Sequence, residues 1–515
     1  MKSLVRLALA TGCALGALTA AVPALAASGA EVLQNTCITC HTKAPDGTVE
    51  RIDAARKTPE AWDMTVVRMM RNHKVELSDA DRQAVVKYLA DTRGLSVAET
   101  EGFRYILERE PVASDEGPSE LMTQTCGRCH SYARVALQRR TPEDWKHLVN
   151  FHLGQFPTLE YQALARDRDW WGIAQAEIIP FLAKTYPLGS APAPFTGDPA
   201  GTYVLAGHQP AKGDYAGTLT ITKAGSEFDV KMVLAFADHT ATFTGKGRLF
   251  GAGEWRASLS DGKVKIRQVF AFGADGTLEG RWFEAERDVI GGRIAAVKAD
   301  GAAHALAAFP SRLKIGAETT VTVAGSGLSG ALTLPAGVTG EITGKNETGV
   351  TLKLKATAAG PVELALGSQK IALVAYEAPD RISIVPELTI ARIGDNGSPI
   401  PKVPAQFEAE GWLNGPDGKP GTADDISLGY FPATWATADF DEAAAAMKDA
   451  TFAGSIDATG LFTPAAAGPN PERVMSTNNA GNLKVIATVT EGGKQLTAEA
   501  HLYATVQRFV DPPIR

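Results

Sequence analysis

Two pentapeptides, Cys37-Ile38-Thr39-Cys40-His41 and Cys126-Gly127-Arg128-Cys129-His130, constrain this chain more than any other feature. In C-x-x-C-H the two thiols can add to the vinyl groups of a haem, and the histidine that follows then lies beneath the iron as its proximal ligand. A redox dithiol or half a zinc site has no need of a histidine directly after the second cysteine, and here the pattern occurs twice. It predicts two covalently bound haems c, attached through Cys37, Cys40, Cys126 and Cys129, with His41 and His130 as axial ligands. Of the five cysteines only Cys13 is left over. It lies in a segment expected to be removed, so no thiol remains for a disulfide.

That segment, residues 1–26, runs from Lys2 and Arg6 through an Ala/Leu/Gly core to Ala24-Leu25-Ala26. A charged start, an apolar middle and small residues at the end make a secretory signal peptide, so the expected location is the periplasm. A lipoprotein reading through Thr11-Gly12-Cys13 is weaker, because the apolar stretch before that cysteine is short. No later stretch is apolar for long enough to span a bilayer. The formal net charge of −7 falls to about −9 once Lys2 and Arg6 are removed, which argues against nucleic-acid binding.

At 515 residues the chain calls for several cores. The expected class is multidomain α then β, and the first part, 27–188, reads as a dihaem cytochrome c domain of two tandem all-α units. Glu31 to Thr36 leads into the first motif as Glu120 to Thr125 leads into the second. Thr58-Pro59-Glu60-Ala61-Trp62 is echoed by Thr141-Pro142-Glu143-Asp144-Trp145, and Thr followed by Pro is a helix start. Ser78-Asp79-Ala80-Asp81 reads as a capping box opening a third helix through Val85, Val86, Tyr88 and Leu89. Its counterpart carries Ile178, Ile179, Phe181 and Leu182, with Pro180 expected to bend it.

The sixth ligand of each iron has to come from the middle or following segment. The second half has no methionine between Cys126 and Met232, which leaves His147 and His152. On the helix opened by Thr141, Trp145, Val149, His152 and Phe156 share a face and His147 does not, which favours His152. In the first half Trp62, Val66, Met69 and His73 share the corresponding face. Matching Trp62 to Trp145 aligns Met69 with His152, whereas His73 lies just ahead of the last helix, a common source of a distal ligand. Met70 is a third, off-stripe option, and the choice stays open here. A thioether would raise that haem's potential relative to a second imidazole.

From about residue 200 glycine recurs at turn-like intervals between short β-branched runs. After a Pro/Gly linker at 189–198, the segment 199–302 reads as an antiparallel β-barrel, with runs such as Thr218–Thr222, Phe228–Val233 and Lys263–Arg267. The segments 303–378 and 379–515 each read as an Ig-like β-sandwich. Asp417-Gly418 with Asp424 and Asp425 forms an acidic loop that lacks the spacing of an EF-hand, and an ordinary turn is the simpler reading than a calcium site. His208, His239, His304 and His501 are isolated and read as surface or locally bonded. No nucleophile elbow, zincin, P-loop or dinucleotide motif stands on the right elements.

In the order of these parts the whole chain resembles the alpha (dihaem cytochrome c) subunit of quinohaemoprotein amine dehydrogenase. The resemblance rests on the two C-x-x-C-H motifs and the Thr-Pro-Glu-x-Trp repeats, and for the β part on architecture. It implies an electron-transfer subunit of a heterotrimer, with no substrate-oxidising cofactor of its own. A small gamma subunit would carry cysteine tryptophylquinone and deaminate primary amines, a propeller beta subunit would complete the assembly, and a periplasmic cupredoxin or cytochrome c would accept the electrons. The family's pattern of one bis-histidine and one histidine/methionine haem would place His152 on the second haem and Met69 or Met70 on the first, leaving His73 to be explained. A dihaem peroxidase and an Ig-like binding protein with a cytochrome module are the alternatives.

Overall fold

A computed structural model describes residues 27–112, 115–128, 130–155, 168–273, 275–397, 401–475 and 477–506. The leader with Cys13, and also Cys129 and Phe156, lie outside the described residues.

The N-terminal part is built on helices α1 (Gly29–Asn35), α2 (Pro59–His73), α3 (Asp79–Thr92), α4 (Glu120–Thr125), α5 (Pro142–Gln155) and α6 (Ile179–Thr185). α1 begins in a full capping box, Ser28 with Glu31, and Gly29 lets it sit on α3, since a Cβ there would lie 2.2 Å from the Ala84 carbonyl. The box expected at Ser78 is only half made. Ser78 Oγ accepts from the Asp81 amide at 3.0 Å, but the Asp81 carboxylate takes the Ser78 hydroxyl and the Ala27 amide instead of closing back on the cap. Ahead of α6, residues Ala174–Ile178 form a π-turn, the local adjustment that absorbs Pro180 and its missing N–H.

The two halves are not all-α. β1 (Ala55–Lys57) and β2 (Gln138–Arg140) pair antiparallel, with Arg56 opposite Arg139, Ala55 opposite Arg140 and Lys57 opposite Gln138. Arg56 faces its own equivalent, displaced by the offset that separates Trp62 from Trp145, while Ala55 and Lys57 each face the equivalent of the other, so the ribbon obeys a local two-fold axis. The same contacts recur on both sides of it. Trp62 and the Lys57 amide both donate to the Arg93 carbonyl, each at 3.0 Å, and Trp145 and the Arg140 amide both donate to the Tyr186 carbonyl at 3.1 and 3.2 Å. Both indoles are buried. A strand would have been hard to foresee in three residues rich in Arg and Lys, because the pairing is made between segments far apart in sequence.

Eight strands between Gly201 and Lys298 close into an up-and-down barrel, the last pairing with the first. Its interior is filled by Tyr203, Tyr215, Trp255, Phe270, Trp282 and aliphatic side chains, with Trp282 Nε1 donating to Tyr215 Oη at 2.9 Å. The run expected from Lys263 enters the sheet only at Lys265, since the Asp261 carboxylate accepts from the Lys263 and Val264 amides and holds both in the turn. Beyond the barrel, strands between His304 and Tyr376 form two four-stranded sheets over one aliphatic core. From Arg381 to Thr505 three further sheets enclose another core. Two helical turns, Glu442–Ala446 and Asp449–Phe452, interrupt this β region, the first capped by Asp441 and built on alanines.

Charged side chains clamp the parts together. Arg256 of the barrel binds Glu60 of α2 and Glu254, and Glu254 in turn binds Arg104. Arg281 donates to the carbonyls of Glu108 and Arg109. His208 departs from the isolated, local role expected of it. Its Nδ1 lies 2.7 Å from Asp214 in the barrel, its Nε2 lies 2.9 Å from Glu408 in the last region, and its ring packs on Tyr430. His501, by contrast, is locally held, stacked on Phe440 and bonded to Asn482.

Two carboxylates on two ring nitrogens require the doubly protonated imidazolium. Burial works against that charge, but the two carboxylates outweigh it and push the pKa of His208 up to about 9. A raised folded pKa stabilises most below the unfolded value and loses its effect as the pH rises through the folded one. The stability difference between the natural protein and His208→Gln, read from urea midpoints, should be on the order of 2 kcal/mol below about pH 6.5 and vanish above about pH 9.

Candidate haem sites

The first motif follows α1, whose C-cap at Thr36 turns the chain into a single 3₁₀ turn, Cys37–Thr39. The His41 amide donates to the Cys37 carbonyl at 3.0 Å, and His41 Nδ1 is 3.1 Å from the Glu50 carbonyl. With the proton held on Nδ1 by a carbonyl, the lone pair is on Nε2, the tautomer that ligates iron. The second motif repeats this. The Cys126 amide donates to Met122, and His130 Nδ1 is 2.9 Å from the Ser131 carbonyl. Asp115 fixes the segment after His130 by accepting from Ser131 Oγ at 2.6 Å, Tyr105 Oη at 2.6 Å and the Ala133 amide at 3.2 Å.

The thiols are not those of a redox dithiol. Burial raises the Cys37 pKa, and burial pushes that of Cys126 up to about 11 against a small opposing effect of the Thr125 hydroxyl. A redox C-x-x-C needs its reactive thiol lowered, which is the reverse of what is seen. Among the described residues no three His, Cys, Asp or Glu side chains converge as a metal cage. Two cysteines followed at once by a histidine in each half are a donor set that suits a porphyrin, which brings its own equatorial ligands.

In the second half two of the candidate residues, His130 and His152, lie near each other. α5 carries His152, whose Nδ1 is 2.7 Å from the Leu148 carbonyl, and His152 is near enough to His130 for its charge to act on that ring. Burial, joined by Arg134 and His152, holds His130 below the usual histidine range. Burial, joined by Arg134, Arg68 and Arg140, does the same to His152. Both imidazoles are neutral at pH 7, the state that iron requires. His147 lies off this face, near Glu143 at the surface.

In the first half Met69 and Met70 are both half-buried at the end of α2, and His73 is exposed. Met70, like Cys37 and Ile38, packs against the core of that half, which includes Leu33, Trp62 and Val85. Met69 occupies the position that the two-fold relates to His152. At the crossing of the two helices, Arg68 lies over the ring of Phe151, 5.7 Å from its centre, and these two residues are also equivalents. Reading the motifs alone missed Arg68, Asp115 and the ribbon. The available signal was the basic pair, Arg56-Lys57 and Arg139-Arg140, that precedes each Thr-Pro-Glu-x-Trp.

The acidic loop at 417–425 uses its carboxylates internally. Asp424 accepts from Thr422 Oγ1 at 2.7 Å and from the Asp417 amide at 3.1 Å, and Asp425 binds Arg381 at 2.5 Å and the Gly421 amide at 2.7 Å.

Four family models match the chain. Residues 27–192 match the haem-binding region of the alpha subunit of quinohemoprotein amine dehydrogenase, and 198–299, 302–377 and 382–514 match domains II, III and IV of the same subunit. The chain belongs to the quinohemoprotein amine dehydrogenase alpha-subunit family. No curated protein sequence matches it. Among solved structures, a redesigned β-barrel is 12% identical over 19% of this chain and 86% of its own, with a TM-score of 0.16. Mouse clustered protocadherin PcdhgC3 EC1–3 is 13% identical over 45% and 76%, with a TM-score of 0.18. Domains 5–6 of the S-layer protein SbsC are 13% identical over 39% and 98%, with a TM-score of 0.16. The alpha-subunit family is part of an amine dehydrogenase, an oxidoreductase, and its first region binds haem.

The equivalence of Met69 and His152 has a spectroscopic consequence. In the haem-loaded protein Met69→Ala should abolish the thioether-to-iron charge-transfer band of the ferric form, whereas Met70→Ala and His73→Ala should retain it, as read by optical absorption in the near-infrared and red.

Proposed function

We propose that this chain is the electron-transfer subunit of a periplasmic quinohaemoprotein amine dehydrogenase. It would carry two covalent haems c and pass electrons from a cysteine tryptophylquinone in a small gamma subunit to a cupredoxin or cytochrome c, with a propeller beta subunit completing the heterotrimer. The observation that carries this reading is the two-fold arrangement, in which each half presents a C-x-x-C-H histidine with its Nδ1 on a backbone carbonyl and the two distal helices cross at Arg68 and Phe151.

In this reading each half is a small cytochrome c unit. Cys37 and Cys40 hold the first haem, with His41 and Met69 as its axial ligands. Cys126 and Cys129 hold the second, with His130 and His152. Haem c with both axial positions filled supplies one-electron acceptance and release without binding substrate. The chain's own residues keep the ligands still. The Glu50 and Ser131 carbonyls orient the proximal rings, Asp115 anchors the loop after His130, and Trp62 and Trp145 lock each distal helix to the helix that follows it.

The barrel and the two β-sandwiches, read as Ig-like, contribute no such chemistry. Their cores are closed by apolar side chains, which suits a platform for other subunits. No helix among the described residues is long and apolar enough to cross a membrane, and the basic, apolar, small-residue leader supports export.

The test is reconstitution. Denatured, solvent-extracted chain should retain two haems by pyridine haemochrome assay. The purified complex should reduce both on addition of a primary amine, and the isolated chain should not. Cys126→Ala should keep the first haem and lower amine-to-acceptor turnover at least about tenfold, a loss of some 1.4 kcal/mol in the route. Normal turnover in that variant would remove the second haem from the path.

A further inference from the structure

Between α2 and α5 the described residues gather four basic side chains, Arg51, Lys57, Arg68 and Arg140, around Asp144. Lys57 is almost fully buried, gives one hydrogen bond to Thr65 Oγ1 at 3.0 Å, and lies 4.6 Å from the centre of the Trp62 ring. Arg140, equally buried, lies over Trp145 and pairs with Asp144. Arg51 reaches the other oxygen of Asp144 at 4.0 Å. Arg68 is half-buried over Phe151, and no carboxylate of the described residues forms an ion pair with it. Burial first, and then the neighbouring arginines, drive the Lys57 pKa well down, so the standing cations are Arg51, Arg68 and Arg140, and Asp144 is engaged by Arg51 and Arg140. That leaves Arg68, and a partly desolvated cation is costly until an anion pairs with it.

Place in the fold narrows what that anion is. Lys57 and Arg140 stand on the ribbon at the two-fold, inside the chain, so an acidic side chain of another subunit has no way to them. Arg68 is the less buried arm of the group. The Phe151 ring under it stands edge-on to His152, with centroids 6.2 Å apart. An anion at Arg68 is therefore a close neighbour of the group that His152 ligates.

We propose that Arg68 binds a carboxylate side chain of the haem held by His130 and His152, and through that ion pair raises this haem's reduction potential. The inference rests on the reading of the preceding subsection that this half binds haem. A guanidinium forms a directional pair with a carboxylate that an ammonium only partly reproduces. Reduction adds one negative charge to the haem, so a fixed cation beside it favours the ferrous form. Arg68 is a positioning residue here, distinct from the iron ligands.

The experiment uses the full complex with its haems, comparing the natural protein, Arg68→Gln and Arg68→Lys. Haem content is measured first, then the potential of the bis-imidazole haem by spectroelectrochemistry. Arg68→Gln should lower the reduction equilibrium constant of that haem about tenfold, which is about 59 mV for a one-electron couple, and should make its potential more pH-dependent as the freed carboxylate titrates. Arg68→Lys should recover most of the loss. Should Arg68→Gln fail to fold, the unmutated complex decides. Its redox-induced infrared difference spectrum should contain carboxylate bands that shift when arginine is labelled with ¹⁵N in the guanidinium. An unchanged potential with intact haem content, or the absence of arginine-sensitive carboxylate bands, overturns the assignment of Arg68. A chain that carries no haem at all overturns the preceding reading as well.

Discussion

The N-terminal part depends on one carbonyl used twice. At the end of α3 the Arg93 oxygen receives both the Trp62 indole and the Lys57 amide, and at the end of α6 the Tyr186 oxygen receives both the Trp145 indole and the Arg140 amide. A helix C-terminus leaves carbonyls without intrahelical partners, and a buried indole N–H needs an acceptor, so each satisfies the other. Because the second donor is the backbone of the ribbon, the same bond that closes one half also holds the strand joining it to the other. Helix packing within each half and the two-fold between halves are a single constraint.

That constraint also decides how the two halves meet. Equivalent residues must meet on a two-fold axis, and those that meet on the helix faces are Arg68 and Phe151, each next to a candidate distal ligand. The duplication therefore does more than supply a second copy. It brings the helix faces that carry Arg68 and Phe151 together.

Much of this was legible in the residues. The C-x-x-C-H pairs, the Thr-Pro helix starts, the missing methionine that left His152, and the alternation that closes into a barrel each carry their reason locally. The ribbon was not legible, because Ala55–Lys57 and Gln138–Arg140 have no strand pattern and pair only across a long separation. His208 was read as isolated for the same reason, since its partner Glu408 lies 200 residues away. Local signals also overreached. Ser78 and Asp81 have the spacing of a capping box, yet the Ala27 amide competes for the acidic side chain. The choice among Met69, Met70 and His73 could not be made from the helical stripe, since all three lie near one end of α2. What the structure adds is that Met70 packs against the core of that half while His73 is exposed.

The large β part makes sense in the same terms. Its barrel interior is packed with tyrosine, tryptophan and phenylalanine, and their polar atoms are bonded within it: Trp282 to Tyr215, Tyr215 to the Arg293 carbonyl, Trp255 to Gln268 and Tyr203 to the Pro199 carbonyl. Its outward strands instead carry Arg256, Glu254 and Arg281, which are largely buried against α2, Arg104 and the carbonyls of Glu108 and Arg109. Desolvated charges of alternating sign are poor glue per contact but demanding about geometry, since losing one member leaves its partner buried alone. A platform joined in this way holds α2 at a set angle to the barrel through Glu60, about two and a half turns from Met69 on the same helix, so the barrel and the stretch that carries Met69 are tied into one frame.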